Sequence, residues 1–360
     1  MVAVKVPSGR YSGENHDMIK RHALAAACIA MATGFGGIAN AQGKLNFYCT
    51  AQEEWCKIMA DEFGKRTGVD VAFTRSGTGE TYARLKAEKE NPKGDIWWGG
   101  TGDPHLQAAE EKLTAKYESP LLKALRPWAQ DQWKRSDGRT VGIYMGAIGF
   151  VYNKEVAAKK GVKPPACWAD LLKPEFKGEI QMSNPHSSGT AYTLIATLVQ
   201  LWGEDKAFDY LKRLHENINQ YTKQGPMPGQ AAARGETMIA LTFLHDGATS
   251  KERGFAVEMV APCEGTGYEI GSMSIVDGAR NMANAKRFYD FALDADVQRL
   301  ADKGGAKQQM SHAAVESMRN APDLSKVKLL DYDFKKYGSS AERRRLLARW
   351  DAELKVGAPR

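Results

Sequence analysis

The run Leu241-Thr242-Phe243-Leu244-His245-Asp246-Gly247 ends an apolar stretch with an imidazole beside a carboxylate. An ionised Asp246 only accepts hydrogen bonds and can take two from neighbouring hydroxyls, while a neutral His245 offers one donor and one acceptor. Bonds to a charged carboxylate are the stronger kind, so the couple is equipped to hold a ligand rich in alcohol groups. The plainer reading is a turn, since Asp-Gly pairs mark turns, with His245 satisfied in the core. A second chemistry is written in three glycine-bearing segments: Ser187-Ser188-Gly189-Thr190, Ser76-Gly77-Thr78-Gly79 and Gly100-Thr101-Gly102. Each combines hydroxyls with backbone that can approach a ligand closely, and a helix start offers free N–H groups and a dipole end that favour an anion. One such segment is ordinarily a helix N-cap; three at the carboxyl ends of strands describe a site. Together they could surround a group carrying roughly −1.5 to −2 charges, with Lys223 and Gln224 as supplementary contacts.

Signatures of several enzyme classes are missing. None of the glycine loops is G-x-x-x-x-G-K-[ST], no G-x-S-x-G elbow occurs after residue 41, and neither H-E-x-x-H nor a zinc-deaminase pattern is present. No catalytic residue, metal or cofactor is therefore assigned, and an enzyme is not expected.

These residues need elements to position them. Leu45 to Cys49 alternates as a strand, and Glu53 to Gly64 places Trp55, Ile58, Met59 and Phe63 at helical spacing. Val69 to Phe73 reads as a second strand, Glu80 to Glu90 as a polar helix and Asp95 to Trp98 as a third strand. The grammar restarts with the strand Glu179 to Met182, a long helix after Gly189, a helix over Glu204 to Glu216, a loop at Gly225 to Gly229 and a strand over Thr237 to Leu244. This alternation predicts two α/β units with mainly parallel sheets flanked by helices. The glycine-studded segment Val141 to Tyr152 is suited to crossing from one unit to the other, and Val257 to Val276 is a second crossing, about which the halves could rotate. Trp97, Trp98 and Tyr268 could face a sugar ring, but the tryptophans read chiefly as core. Glu342-Arg343-Arg344-Arg345 reads as a solvated helix face.

The bulk numbers bound the reading. With 360 residues, 43% hydrophobic and 26% charged, the chain is ordinary globular protein. Lys20-Arg21-His22, the apolar run Ala23 to Met31 and Ala39-Asn40-Ala41 form a signal-peptide pattern over residues 1–41. The run is shorter than the roughly 20 apolar residues a membrane span needs, and residues 1–17 read as the product of an upstream start codon. Cleavage after Ala41 removes four positive and two negative residues, taking the net charge from +7 to +5. The charge is scattered and no Lys/Arg stripe is interleaved with aromatics, so nucleic-acid binding is not expected. Export leaves Cys49, Cys56, Cys167 and Cys263 in an oxidising compartment, with three connectivities open; a short Cys49–Cys56 loop is one of them.

With these segments in hand, the chain resembles the periplasmic substrate-binding proteins of ABC importers, in the cluster holding ferric-iron binders and binders of phosphorylated compounds. The residues that carry the likeness are strand 1 and its helix, Ala87-Glu88-Lys89-Glu90-Asn91-Pro92-Lys93-Gly94-Asp95-Ile96-Trp97-Trp98-Gly99-Gly100, Pro165-Ala166-Cys167-Trp168-Ala169-Asp170-Leu171 and Ser188-Gly189-Thr190-Ala191-Tyr192. The resemblance implies a type II periplasmic binding protein fold, α/β, with two lobes joined by hinge strands and closing on one small molecule. It also implies delivery to an inner-membrane ABC permease, a periplasmic location and a monomer. The iron-binding pattern of a His after strand 1, a Glu after strand 3 and adjacent tyrosines is replaced by Thr50-Ala51-Gln52-Glu53, Gly99-Gly100 and His245-Asp246. A metal site rebuilt from Glu53, His245, Asp246 and Glu269 fits no metal-ligand spacing. In the hexose-phosphate-binding branch, a His-Asp pair and a later Glu hold the sugar hydroxyls, which falls here on His245, Asp246 and Glu269. The expected phosphate contacts are then Ser76, Thr78, Thr101, Ser187, Ser188, Gly189 and Thr190. A ferric-iron or other metal or anion carrier and an organophosphonate binder are the alternatives. The expected organisation is residues 42–143 and 273–330 in lobe 1, 144–272 in lobe 2 and a C-terminal helical segment over 331–360.

Overall fold

In the computed structural model, which describes residues 43–357, the strands are β1 Lys44–Cys49, β2 Asp70–Arg75, β3 Ile96–Trp98, β4 Val141–Asn153, β5 Ile180–Ser183, β6 Ile218–Thr222, β7 Ile239–Phe243, β8 Val257–Val260, β9 Tyr268–Ile275 and β10 Gln309–Met310. The expected signal peptide lies outside the described residues. In β1, alternation puts Leu45, Phe47 and Cys49 on the buried side, against the helix Glu53–Thr67, whose buried stripe is Trp55, Cys56, Met59, Ala60 and Phe63. That helix runs through Gly64, the expected stop, and ends at Gly68 with φ 72°, the left-handed cap for which glycine is suited.

The strands run in the order β2-β1-β3-β9-β4-β7-β5-β6, with β8 and β10 also on β4. The pairs β1–β2, β1–β3, β5–β6 and β5–β7 are parallel, and β9 and β4 enter antiparallel between the two groups. Strand β4 belongs to both halves: Val141–Ala147 pairs with β9, and Ile148–Tyr152 pairs with β7. The second expected crossing, Val257 to Val276, is not one strand. It divides into β8 and β9 because Pro262 to Gly265 turns the chain and Cys263 is bonded to Cys167. One core gathers Phe47, Phe63, Trp98 and Phe288; the other gathers Phe150, Trp168, Phe208 and Trp350.

Four other boundaries differ from the sequence reading. The polar helix is Thr78–Ala87, starting earlier because the Glu80 carboxylate accepts from the Gly77 N–H at 2.9 Å. The Gly225–Gly229 loop is in part the helix Met227–Ala233. His245-Asp246-Gly247 is no turn: β7 ends at Phe243, and the helix Leu244–Glu252 begins at once. Gly247 is buried there against Val151 and Met259, and Asp246 sits in the first turn, where a carboxylate suits the helix dipole. Last, the run Glu342–Arg345 is not uniformly solvated, because Arg343 is buried; the helix Ser340–Leu354 seats Leu346, Trp350 and Leu354 in the second core.

The disulfides are Cys49–Cys56 and Cys167–Cys263, separated in sequence by 7 and 96 residues. Chain-entropy reasoning makes the long loop the more stabilising. The double variant Cys167→Ser/Cys263→Ser is expected to lose about 2–5 kcal/mol in denaturant unfolding, and Cys49→Ser/Cys56→Ser less. Equal losses would rule out loop entropy as the cause.

Candidate functional site

The carboxyl ends of β1, β2 and β3 face the helix starts after β5 and β7 across a narrow crevice. Its walls differ in chemistry.

At one wall stand His245, Asp246 and Glu269, all buried. The His245 ring lies flat against Phe243, with centroids 5.2 Å apart, and its Nδ1 side packs on Gly146, where any Cβ would collide with it. Its Nε2 is 3.8 Å from Asp246 Oδ1 and 3.9 Å from Glu269 Oε1, too far for direct hydrogen bonds. Asp246 Oδ2 accepts from the Thr242 hydroxyl at 2.6 Å, and Oδ1 accepts from Gln52 Nε2 at 3.2 Å. Gln308 donates in turn to Gln52 Oε1 at 3.3 Å. Burial pushes the His245 imidazole down, against the pull of Asp246, which leaves it neutral. Burial, then the charges of Asp246 and Asp103, hold the Glu269 carboxyl well above its ordinary range. A carboxyl can donate as well as accept when it is protonated, and burial favours that form at Glu269.

The other wall is built where glycines let loops touch. The N–H of Gly79 donates to Ser187 O at 3.0 Å. A Cβ on Gly189 would overlap Thr101 Oγ1, and one on Gly100 would overlap the hydroxyls of Thr78 and Thr50. Thr78, Thr101, Ser188 and Thr190 all line the crevice, and Thr101 Oγ1 is buried with no partner. Ser76 and Ser187 are used differently: the Ser76 hydroxyl bonds to Thr81 at 2.7 Å, and that of Ser187 donates to Lys223 O at 2.7 Å. Gln224 lines the crevice, while Lys223 is exposed and outside it. Trp97 and Trp98 are core residues, and Tyr268 packs on Tyr332 and Phe334.

Several lining residues escaped the sequence reading. Arg75, at the end of β2, donates through Nε to Ala51 O at 3.0 Å, and its Nη1 is buried without a partner. The signal was present, a strand-ending arginine directly before Ser-Gly-Thr-Gly. Tyr144 accepts the Gly100 N–H at 2.6 Å; Gln52 and Gln308 join the Asp246 side. No metal cage is formed: among the described residues, the crevice holds no three imidazole or carboxylate ligand atoms within 4.8 Å of one another, and Glu53 is exposed.

With this geometry in view, the comparisons are direct. The model of a family described as bacterial extracellular solute-binding proteins matches residues 93–336. The chain belongs to that family. An uncharacterized protein of Haemophilus influenzae is 45% identical over 92% of this chain and 97% of its own. The periplasmic binding protein AfuA of Actinobacillus pleuropneumoniae, solved with exogenous fructose 6-phosphate, superposes with a TM-score of 0.84 at 49% identity, covering 88% of this chain and 100% of AfuA. The periplasmic binding protein P5PA gives 0.84 at 43%, covering 87% and 99%. This solute-binding protein therefore has the type II periplasmic fold, and it serves an ABC importer as its periplasmic receptor. Both of these solved relatives are periplasmic binding proteins.

Two further buried groups make stability pH-sensitive. Asp103 Oδ2 accepts from Tyr332 at 3.1 Å and, from the facing half, Thr193 at 3.4 Å. Burial raises its pKa to about 6, so its ionised form is disfavoured in the native state, and stability is gained as pH falls through 6 toward 3.8. His105, stacked on Trp97 at 3.6 Å, is pushed down to about 3 by burial. It acts oppositely, losing stability as pH falls from 6.5 toward 3. Asp103→Asn isolates the first effect: its melting temperature should exceed that of the parent at pH 7.5, with the gap closing by pH 4. In Gly189→Val the new side chain meets Thr101, so small-angle scattering should show a more open protein than the parent.

Proposed function

We propose that this receptor captures a phosphorylated sugar, hexose 6-phosphate first, between lobe 1 (residues 42–143 and 273–330) and lobe 2 (144–272), as a monomer that delivers its ligand to the permease. The observation that carries this reading is a pair of buried donors left over in the crevice, Arg75 Nη1 and Thr101 Oγ1. A buried polar group without a partner is costly, and a guanidinium is the side chain matched to phosphate oxygens. Across from them, His245, Asp246 and Glu269 suit the sugar hydroxyls, and the ligand named for AfuA has both ends. In the phosphate wall Thr78, Thr101, Ser188 and Thr190 supply hydroxyls, and Gly189 supplies closeness. Ser76 and Ser187 brace the loops.

Capture would proceed by rotation about β4 and β9, with closure excluding water and strengthening each polar contact. Micromolar affinity needs only about −8 kcal/mol, within reach of a buried phosphate with several charge-assisted bonds. A site built to bond hydroxyls discriminates strongly against ligands lacking them.

Glucose 6-phosphate and fructose 6-phosphate should raise the melting temperature, while free glucose, inorganic phosphate and ferric citrate should do so little or not at all. A shift with ferric citrate alone would overturn the reading. In calorimetry, Asp246→Ala, Glu269→Ala and Arg75→Met should each weaken sugar-phosphate binding by about 10- to 100-fold with circular dichroism unchanged.

A further inference from the structure

Gln308 is buried and lines the crevice. The chain fixes its place on both sides: Lys307 before it is ion-paired with Glu252 and Asp302, and Gln309 after it opens β10, paired to Met145 of β4. Gln308 Nε2 donates to Gln52 Oε1 at 3.3 Å, and Gln52 Nε2 donates to Asp246 Oδ1 at 3.2 Å. Gln52 is itself anchored, at the N-cap of the helix Glu53–Thr67 and inside the Cys49–Cys56 loop. Among the described residues, Gln308 Oε1 is buried with no partner.

Charge dictates the order of these contacts. A carboxylate only accepts hydrogen bonds, so Gln52 turns its NH2 toward Asp246. The carbonyl oxygen of Gln52 is then the atom left for Gln308, and an oxygen is met only by a donor, so Gln308 turns its own NH2 the same way. What remains of Gln308 is an acceptor. Reversing either amide would set oxygen against oxygen. Gln52 follows β1 and Gln308 precedes β10, whereas Asp246 follows β7, so the relay is complete only where the two halves meet.

A buried acceptor without a donor is costly. A hydroxyl of a guest removes that cost, whereas a phosphate oxygen, an acceptor itself, would add to it. The unpartnered donors Arg75 Nη1 and Thr101 Oγ1 stand at the other wall, so the two walls ask for opposite ends of one ligand. We infer that Gln308 is a specificity-determining residue whose side-chain carbonyl, aimed by Asp246 through Gln52, requires a hydrogen-bond donor on the sugar end of the ligand. This rests on the phosphorylated-sugar reading above, to which it adds the selection of one hydroxyl as a donor. Gln52 is a positioning residue, since it sets which atom Gln308 presents.

The test titrates the full chain by calorimetry with glucose 6-phosphate and with analogues in which one hydroxyl at a time is replaced by hydrogen or by fluorine, which cannot donate. In the parent protein, one position should lose about 10- to 100-fold in affinity with hydrogen and at least as much with fluorine. Gln308→Met should weaken glucose 6-phosphate by a similar factor and bind that one pair of analogues about as tightly as the hydroxyl sugar, with the ratios at other positions kept. Gln52→Met leaves the Gln308 amide free to turn, so the hydroxyl-to-fluorine ratio should narrow at the same position. If Gln308→Met weakens the sugar phosphate and every analogue by one common factor, its role is structural and the inference is overturned. A parent protein that tolerates fluorine better than hydrogen at every position would also overturn it, and decides the matter even if Gln308→Met does not fold. A parent protein that binds no phosphorylated sugar would instead remove the proposed function, and this inference with it.

Discussion

Backbone-to-backbone contact between the two halves is the constraint on which the rest of the structure depends. Where the helix starts after β2 and β5 meet, the Gly79 N–H reaches Ser187 O, and no side chain could stand between them. Gly77, Gly100, Gly189 and Gly225 meet carbonyls or hydroxyls of neighbouring loops in the same manner. Because a Cβ at any of these positions has nowhere to go, the halves approach until hydroxyls from different loops surround one volume. The hydroxyl-bearing wall is thus a by-product of how closely the chain can pass itself.

Burial then sorts the charges. Water is kept from His245, Glu269, Asp103 and Arg343 alike, and each is pushed toward its neutral form. What distinguishes the walls is the chemistry of their groups, an imidazole and carboxylates at one and hydroxyls at the other. Asp246 is held from both sides by Thr242 and Gln52, so its oxygens stay fixed in direction. Arg75 and Thr101 keep unspent donors. Unpartnered polar atoms remain at both ends of the crevice, since His245 Nδ1 and Gln308 Oε1 beside Asp246 are also buried without partners.

Much of this was legible in the residues, and the misses share a cause. Period-two and period-3.6 patterns found the strands and helices because those patterns follow from which face is buried, and His245, Asp246 and Glu269 do meet at one wall. Asp246-Gly247 did not announce a helix start, since Gly247 is fitted there by packing on Met259 and, across about a hundred residues of sequence, on Val151. Ser76 and Ser187 were indistinguishable by type from Thr78 and Ser188; only the direction of each hydroxyl separates them, and direction is set by tertiary neighbours. Arg343 in a run of like charges read as solvated for the same reason. Long-range placement leaves little local trace.

The Cys49–Cys56 bond spans the short turn that carries Thr50, Ala51 and Gln52 into the crevice. A turn tethered at both ends has few alternative shapes to surrender when a guest arrives. That rim is therefore a stiff template whose ordering costs little. Selectivity at this rim should then reflect fit to a preset outline more than adaptation to each visitor.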